Sequence, residues 1–139
     1  MKHLRMIAVV LLLCMMIPFS ATATEARASL YLSSYLAIIS EGDNSGEIVV
    51  SYSVDATDNM SEVGVKRITL YRTDGHESIT IYGTIKNGLV EASTYETAGD
   101  YYFKDLTSGS YYYAVVTVYA KDASGSDSRV VTTKTIQAP

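Results

Sequence analysis

His76 is the only histidine after His3, and Ser78 follows two positions later. A Ser-His-Asp set needs its imidazole held rigidly between a nucleophile and an orienting acid. The run TDGHE instead puts His76 in a hairpin turn marked by Asp74-Gly75, which reads as a solvated position. A single histidine also leaves a zinc site without partner ligands. Paired carboxylates can hydrolyse a glycoside, yet no spacing singles out one pair among the fifteen acidic residues. Oxygen donors gather in Asp55-Ala-Thr-Asp58-Asn59-Met-Ser-Glu62 and in Asp122-Ala-Ser-Gly-Ser-Asp127. Asp55, Asp58, Asp122 and Asp127 therefore form an alternative calcium set, although the same residue types fill ordinary turns and no EF-hand spacing is present.

Tyrosine is the remaining chemistry: the chain has twelve, against two phenylalanines and no tryptophan. Exposed tyrosine gives large contact area at low entropic cost, which suits protein- and sugar-binding faces. Tyr71, Tyr113 and Tyr119, with Arg67 beside them and Tyr82 on a neighbouring strand, make a candidate binding face. The competing reading is that tyrosine is simply a good strand former with a polar tip.

These residues sit on segments that alternate with period two, and no sustained helical stripe occurs. In EIVVSYSVDA, Ile48, Val50, Tyr52 and Val54 share one face, and Ser51, Ser53 and Asp55 the other. SLYLSSYLAIIS opens the domain, and EGDNSG is a turn cluster. ATDNMSE reads as a polar link before VGVKRITLYR, where Ile68 and Leu70 oppose Arg67, Thr69 and Tyr71. SITIYGTI follows, and Asn87-Gly88 makes another turn. Gly99-Asp100 is expected to divide LVEASTYETAGDYYFKDL into two short pieces. In YYYAVVTVYA the positions Tyr112, Ala114, Val116, Val118 and Ala120 should be dry, and Tyr113, Val115, Thr117 and Tyr119 wet. KDASGSDS is read as a turn and RVVTTKTI as the last strand. About seven short strands predict an all-β chain, a single antiparallel sandwich over residues 30–137.

The first 23 residues read as a secretory signal: Lys2 and Arg5, a short apolar run, then Ala21-Thr22-Ala23. Cleavage after Ala26 or Ala28 is an alternative, and residues 24–29 form an extension. Cys14, the single cysteine, would leave with the signal. The mature chain would then hold no disulfide or thiolate site. Removing Lys2 and Arg5 leaves nine basic against fifteen acidic residues, a net charge of −6. Such a chain repels phosphate backbones, so nucleic acid is not an expected partner. No mature segment is apolar for the length of a bilayer.

Leu106-x-x-Gly-Ser-x-Tyr112, followed by an alternating strand and a glycine-bearing turn, resembles a fibronectin type III or immunoglobulin-like domain. That resemblance implies that Tyr112 is the corner tyrosine, its ring in the core and its hydroxyl bonded to backbone near the turn. It also gives Leu106 and Tyr52 structural roles, with Tyr52 standing where the family usually has tryptophan and Ser108 where it usually has proline. The YLSSY opening, the GVKRITLY strand and the YYYAVVTVYAKDASGSDSR ending resemble a family of small proteins exported by Gram-positive bacteria. That likeness implies no activity. The expectation is a secreted or wall-associated, non-enzymatic binding or structural module without cofactors, its partner a protein or carbohydrate. The alternatives are a small hydrolase with a carboxylate pair and an effector or immunity-type protein.

Overall fold

A computed structural model describes residues 29–139. The expected signal and most of the extension lie outside the described residues. Seven strands follow: β1 (Leu32–Glu41), β2 (Ile48–Arg72), β3 (Ser78–Tyr82), β4 (Val90–Phe103), β5 (Tyr111–Asp122), β6 (Gly125–Thr132) and β7 (Ile136–Gln137). Every pairing is antiparallel. All seven belong to one hydrogen-bonded sheet, curled into a half-barrel. No described helix is long and apolar enough to cross a membrane.

The single sheet differs from the two separate sheets of a sandwich, and β2 is the reason. It runs for 25 residues through ATDNMSE, where a link was expected. Its first half pairs with β1 on one side and β4 on the other; its second half pairs with β3 and β5. Met60 is buried in the middle of this polar run, so the strand keeps an anchor in the core and shifts register by a bulge instead of stopping.

β4 likewise stays whole across Gly99-Asp100, because Gly99 faces the Tyr52 ring on β2. A Cβ there would lie 2.8 Å from Tyr52 Oη, so only glycine lets the strand pass beneath the phenol. Tyr52 Oη donates to the Gly88 carbonyl at 2.9 Å, which ties β2 to the turn before β4. The last hairpin is tighter than KDASGSDS suggested. Asp122 and Gly125 are paired across a two-residue loop, and β6 begins at Gly125.

One core draws Ile48, Val50 and Val54 from the first half of β2 and Val63, Val65, Ile68 and Leu70 from the second. β5 adds Tyr112, Ala114, Val116, Val118 and Ala120, all buried, while Tyr113, Val115, Thr117 and Tyr119 are half-buried on the other side. β1 also packs against β5, β6 and β7, with which it shares no ladder.

Candidate binding face

The strands β3, β2, β5 and β6 lie side by side, so register alone sets the outward rows. Tyr82 opposes Arg67, Arg67 opposes Thr117, and Thr117 opposes Val130. The next row is Thr80, Thr69, Val115 and Thr132; the third brings together Ser78, Tyr71 and Tyr113. Tyr71, Tyr113, Tyr82 and Arg67 thus share one surface. Thr69 is buried there although it points away from the core, because it lies between two flanking strands and its hydroxyl meets Thr80 Oγ1 at 3.1 Å.

Tyr71 and Tyr113 stack with centroids 5.3 Å apart and planes 20° apart. The stack covers part of each ring, leaving Tyr113 half-buried and Tyr71 36% exposed. Tyr82 is 66% exposed, at the edge of the sheet. Tyr119 stands apart: its hydroxyl donates to Glu62 Oε2 at 2.7 Å, and Glu62 also approaches Lys121 Nζ at 3.9 Å. Burial, then the Glu62 hydrogen bond and charge, push the Tyr119 phenol far above its ordinary range. It is a tethered residue at one end of the surface.

The row arrangement is broken once. Between Val65 and Arg67 the register with β5 shifts, and Lys66 is the extra residue. Regular neighbours in a strand point to opposite faces, but a bulge re-aims them. Lys66 and Arg67 consequently line one depression together with Tyr82 and Thr117. Gly83 pins the edge of this depression. Its amide donates to the Lys66 carbonyl at 2.9 Å, and a Cβ would fall 1.7 Å from the Val65 carbonyl oxygen.

The structural tyrosines take other positions. Tyr112 is 1% exposed; its hydroxyl accepts from the Thr107 amide at 3.1 Å and donates to Glu77 Oε2 at 2.8 Å. Burial, then Glu77, raises its pKa above the ordinary phenol value. Leu106 is buried beside it, and its amide donates to Gly46. For Tyr52, burial raises the pKa, with Glu91 and Asp100 adding to the shift. The Glu77 partner of Tyr112 was missed from sequence, as was Lys66; Glu62 was placed among oxygen donors but not beside Tyr119, and Thr117 on the wet side of β5 but not in the depression. Lys66 had one signal, the Lys-Arg pair inside a strand, but a bulge is invisible to period-two reading.

The four acids of the calcium alternative do not converge. Their segments share an end of the molecule, since the Ser61 hydroxyl donates to the Lys121 carbonyl at 2.8 Å. Yet Asp55 accepts from Ser34, Asp58 from the Asn59 amide, Asp122 from the Ser124 amide and Asp127 from Arg129. The Ser29 hydroxyl, then Arg129, holds the Asp127 carboxyl below its ordinary range. Among the described residues no three acidic, cysteine or histidine side chains form a group that could hold a metal. His76 is exposed in the β2–β3 turn, its amide bonded to Asp74 Oδ1 at 3.0 Å.

A second surface was not anticipated. On the outer side of β1, β2 and β4, Leu36 and Ile38 are exposed beside Ser51, Ser53 and Asp100. A groove of about 370 Å³ there carries Asp55, Glu91 and Glu96 around Ser53, Thr97 and Ala98.

No family model matches the chain, and no curated protein does. Among solved structures it is similar to a family 76 glycoside hydrolase from a bovine Bacteroides thetaiotaomicron strain, at 15% identity and a TM-score of 0.41. The match covers 76% of this chain but 20% of that one. A likeness of this size carries neither fold nor activity across.

Proposed function

We propose that this chain is a secreted, non-enzymatic binding module of fibronectin type III or immunoglobulin-like type. In this reading β1–β2–β4 and β3–β2–β5–β6 are the two layers of a sandwich whose sheets stay joined through β2. Packing of β1 on β5 and β6 without a shared ladder supports it, as does the core common to both halves. The ligand, a protein or carbohydrate, lies on the outer face of β3–β2–β5–β6. The carrying observation is the juxtaposition on that face of the Tyr71–Tyr113 stack, the exposed Tyr82 and Arg67.

Affinity electrophoresis through gels of soluble polysaccharide, with sedimentation on insoluble cell-wall fractions, tests the reading. The wild-type chain should be retained by at least one of these, and Tyr71→Ser/Tyr113→Ser should lose retention while remaining folded. Equal retention of the variant would contradict it. The groove bearing Asp55 and Glu96, opposed in register on β2 and β4, favours a second reading, a small hydrolase. Release of reducing ends from the same polysaccharides, abolished by Asp55→Asn or Glu96→Gln, would replace the first reading with that one.

A further inference from the structure

The charges of Lys66 and Arg67 do not serve the fold. Three ion pairs occur among the described residues, Arg72–Asp74, Lys121–Glu62 and Arg129–Asp127, and neither residue belongs to them. The chain is acidic, but the rows of the β3–β2–β5–β6 face from Ser78 through Val130 contain no acid, and Glu62, at the Tyr119 end of the surface, is held by Tyr119 and Lys121. This surface is therefore locally cationic on an anionic protein, and the bulge concentrates both charges over one depression of about 210 Å³.

A further feature of the depression points to a ligand. The Tyr82 ring forms one wall and leaves most of its surface open. The volume is below the range of about 300–1,000 Å³ usual for whole small-molecule ligands, and it fits a single ring of a longer chain laid along the strands.

Building on the binding face, we propose that this depression receives a saccharide ring bearing an anionic substituent, a carboxylate or a sulfate. The Arg67 guanidinium offers a planar fork that matches either anion, and Lys66 adds a point charge. Tyr82 packs its ring against the apolar face of the sugar, as amphipathic aromatics do. A neutral sugar would leave both cations unused. The stacked Tyr71 and Tyr113, two rows or about 13 Å away along the strands, carry a unit two or three further along the same chain.

Calorimetric titration of the purified chain with three oligosaccharides of equal length provides the test: oligogalacturonate, sulfated carrageenan and neutral malto-oligosaccharide. The proteins are wild type, Arg67→Gln, Lys66→Gln and Tyr71→Ser/Tyr113→Ser, each checked for an unchanged melting profile. At least one anionic ligand should bind about tenfold or more tightly than the neutral one, and Arg67→Gln should weaken it by about tenfold. Added salt should weaken that binding further. Which anionic ligand binds tells carboxylate from sulfate. Equal affinity for the neutral ligand, or indifference to both Arg67→Gln and Lys66→Gln, overturns the anionic pocket. If neutral binding is then lost in Tyr71→Ser/Tyr113→Ser, the binding face survives without the pocket. Failure of all three saccharides to bind overturns the pocket as well, and a protein ligand lost in the tyrosine variant would still sustain the face.

Discussion

Replacing Tyr112 with phenylalanine removes one oxygen from the core and keeps the ring. That oxygen accepts from the Thr107 amide and donates to the Glu77 carboxylate. A hydrogen bond to a charged group contributes about 1.5–3 kcal/mol, and the half-exposed Glu77 places this one near the lower end. Thr107 is exposed, so water can recover its amide, and the loss there is a further ~0.5 kcal/mol. Tyr112→Phe should therefore cost about 2 kcal/mol and lower Tm by roughly 8 °C for a domain of this size. Thermal unfolding followed by circular dichroism measures it, with Tyr111→Phe, whose ring is exposed, as the control. The control should stay within about 0.5 kcal/mol of wild type. In a double-mutant cycle Glu77→Gln should couple to Tyr112→Phe and to no other tyrosine. A Tm change below about 2 °C for Tyr112→Phe, or an equal loss from Tyr111→Phe, would mean that the Tyr112 hydroxyl does not tie Glu77 and Thr107 to the core.

Three tyrosines with raised pKa values make stability depend on alkaline pH. For Tyr52, Tyr112 and Tyr119 the folded chain holds the phenol proton more tightly than the unfolded one, first through burial. Their contribution is complete below the ordinary phenol value of about 10 and is lost as pH rises beyond it. Denaturant midpoints between pH 8 and pH 11 should fall, and Tyr119→Phe should flatten that fall. Gly83→Ala would drive a Cβ into the Val65 carbonyl, so it should cost at least about 2 kcal/mol and loosen β3, seen as faster amide exchange at Ile81. Tyr71→Ser should cost about 1 kcal/mol for the lost stack on Tyr113, and Tyr82→Ser less than that, measured by urea unfolding.

Side-chain alternation made the β5 core legible before any coordinates. A strand buried on one side imposes period two, and Tyr112 through Ala120 obey it. Burial of the Tyr112 ring was legible for the same reason, while the bond of its hydroxyl to backbone near the turn was expected from the fibronectin type III resemblance alone. Continuity was not. A polar run such as ATDNMSE looks like a loop, and one buried methionine was enough to carry β2 through it. Gly99 looks like a breaker until Tyr52 is seen lying over it. The candidate face was half legible: alternation put Arg67, Tyr71 and Tyr113 on one side, but no local pattern announces that a bulge turns Lys66 to join them. Pairing between distant segments creates that geometry, as it does the links of Tyr112 to Glu77 and Tyr119 to Glu62.

Backbone amide shifts of the labelled chain, followed while the tighter-binding of oligogalacturonate and sulfated carrageenan is added, test the binding face most directly. Perturbations are expected at Lys66, Arg67, Tyr71, Tyr82, Tyr113 and Thr117, with Leu36, Ile38 and Glu96 on the opposite surface unmoved. Shifts confined to β1 and the Asp55–Glu96 groove would contradict it.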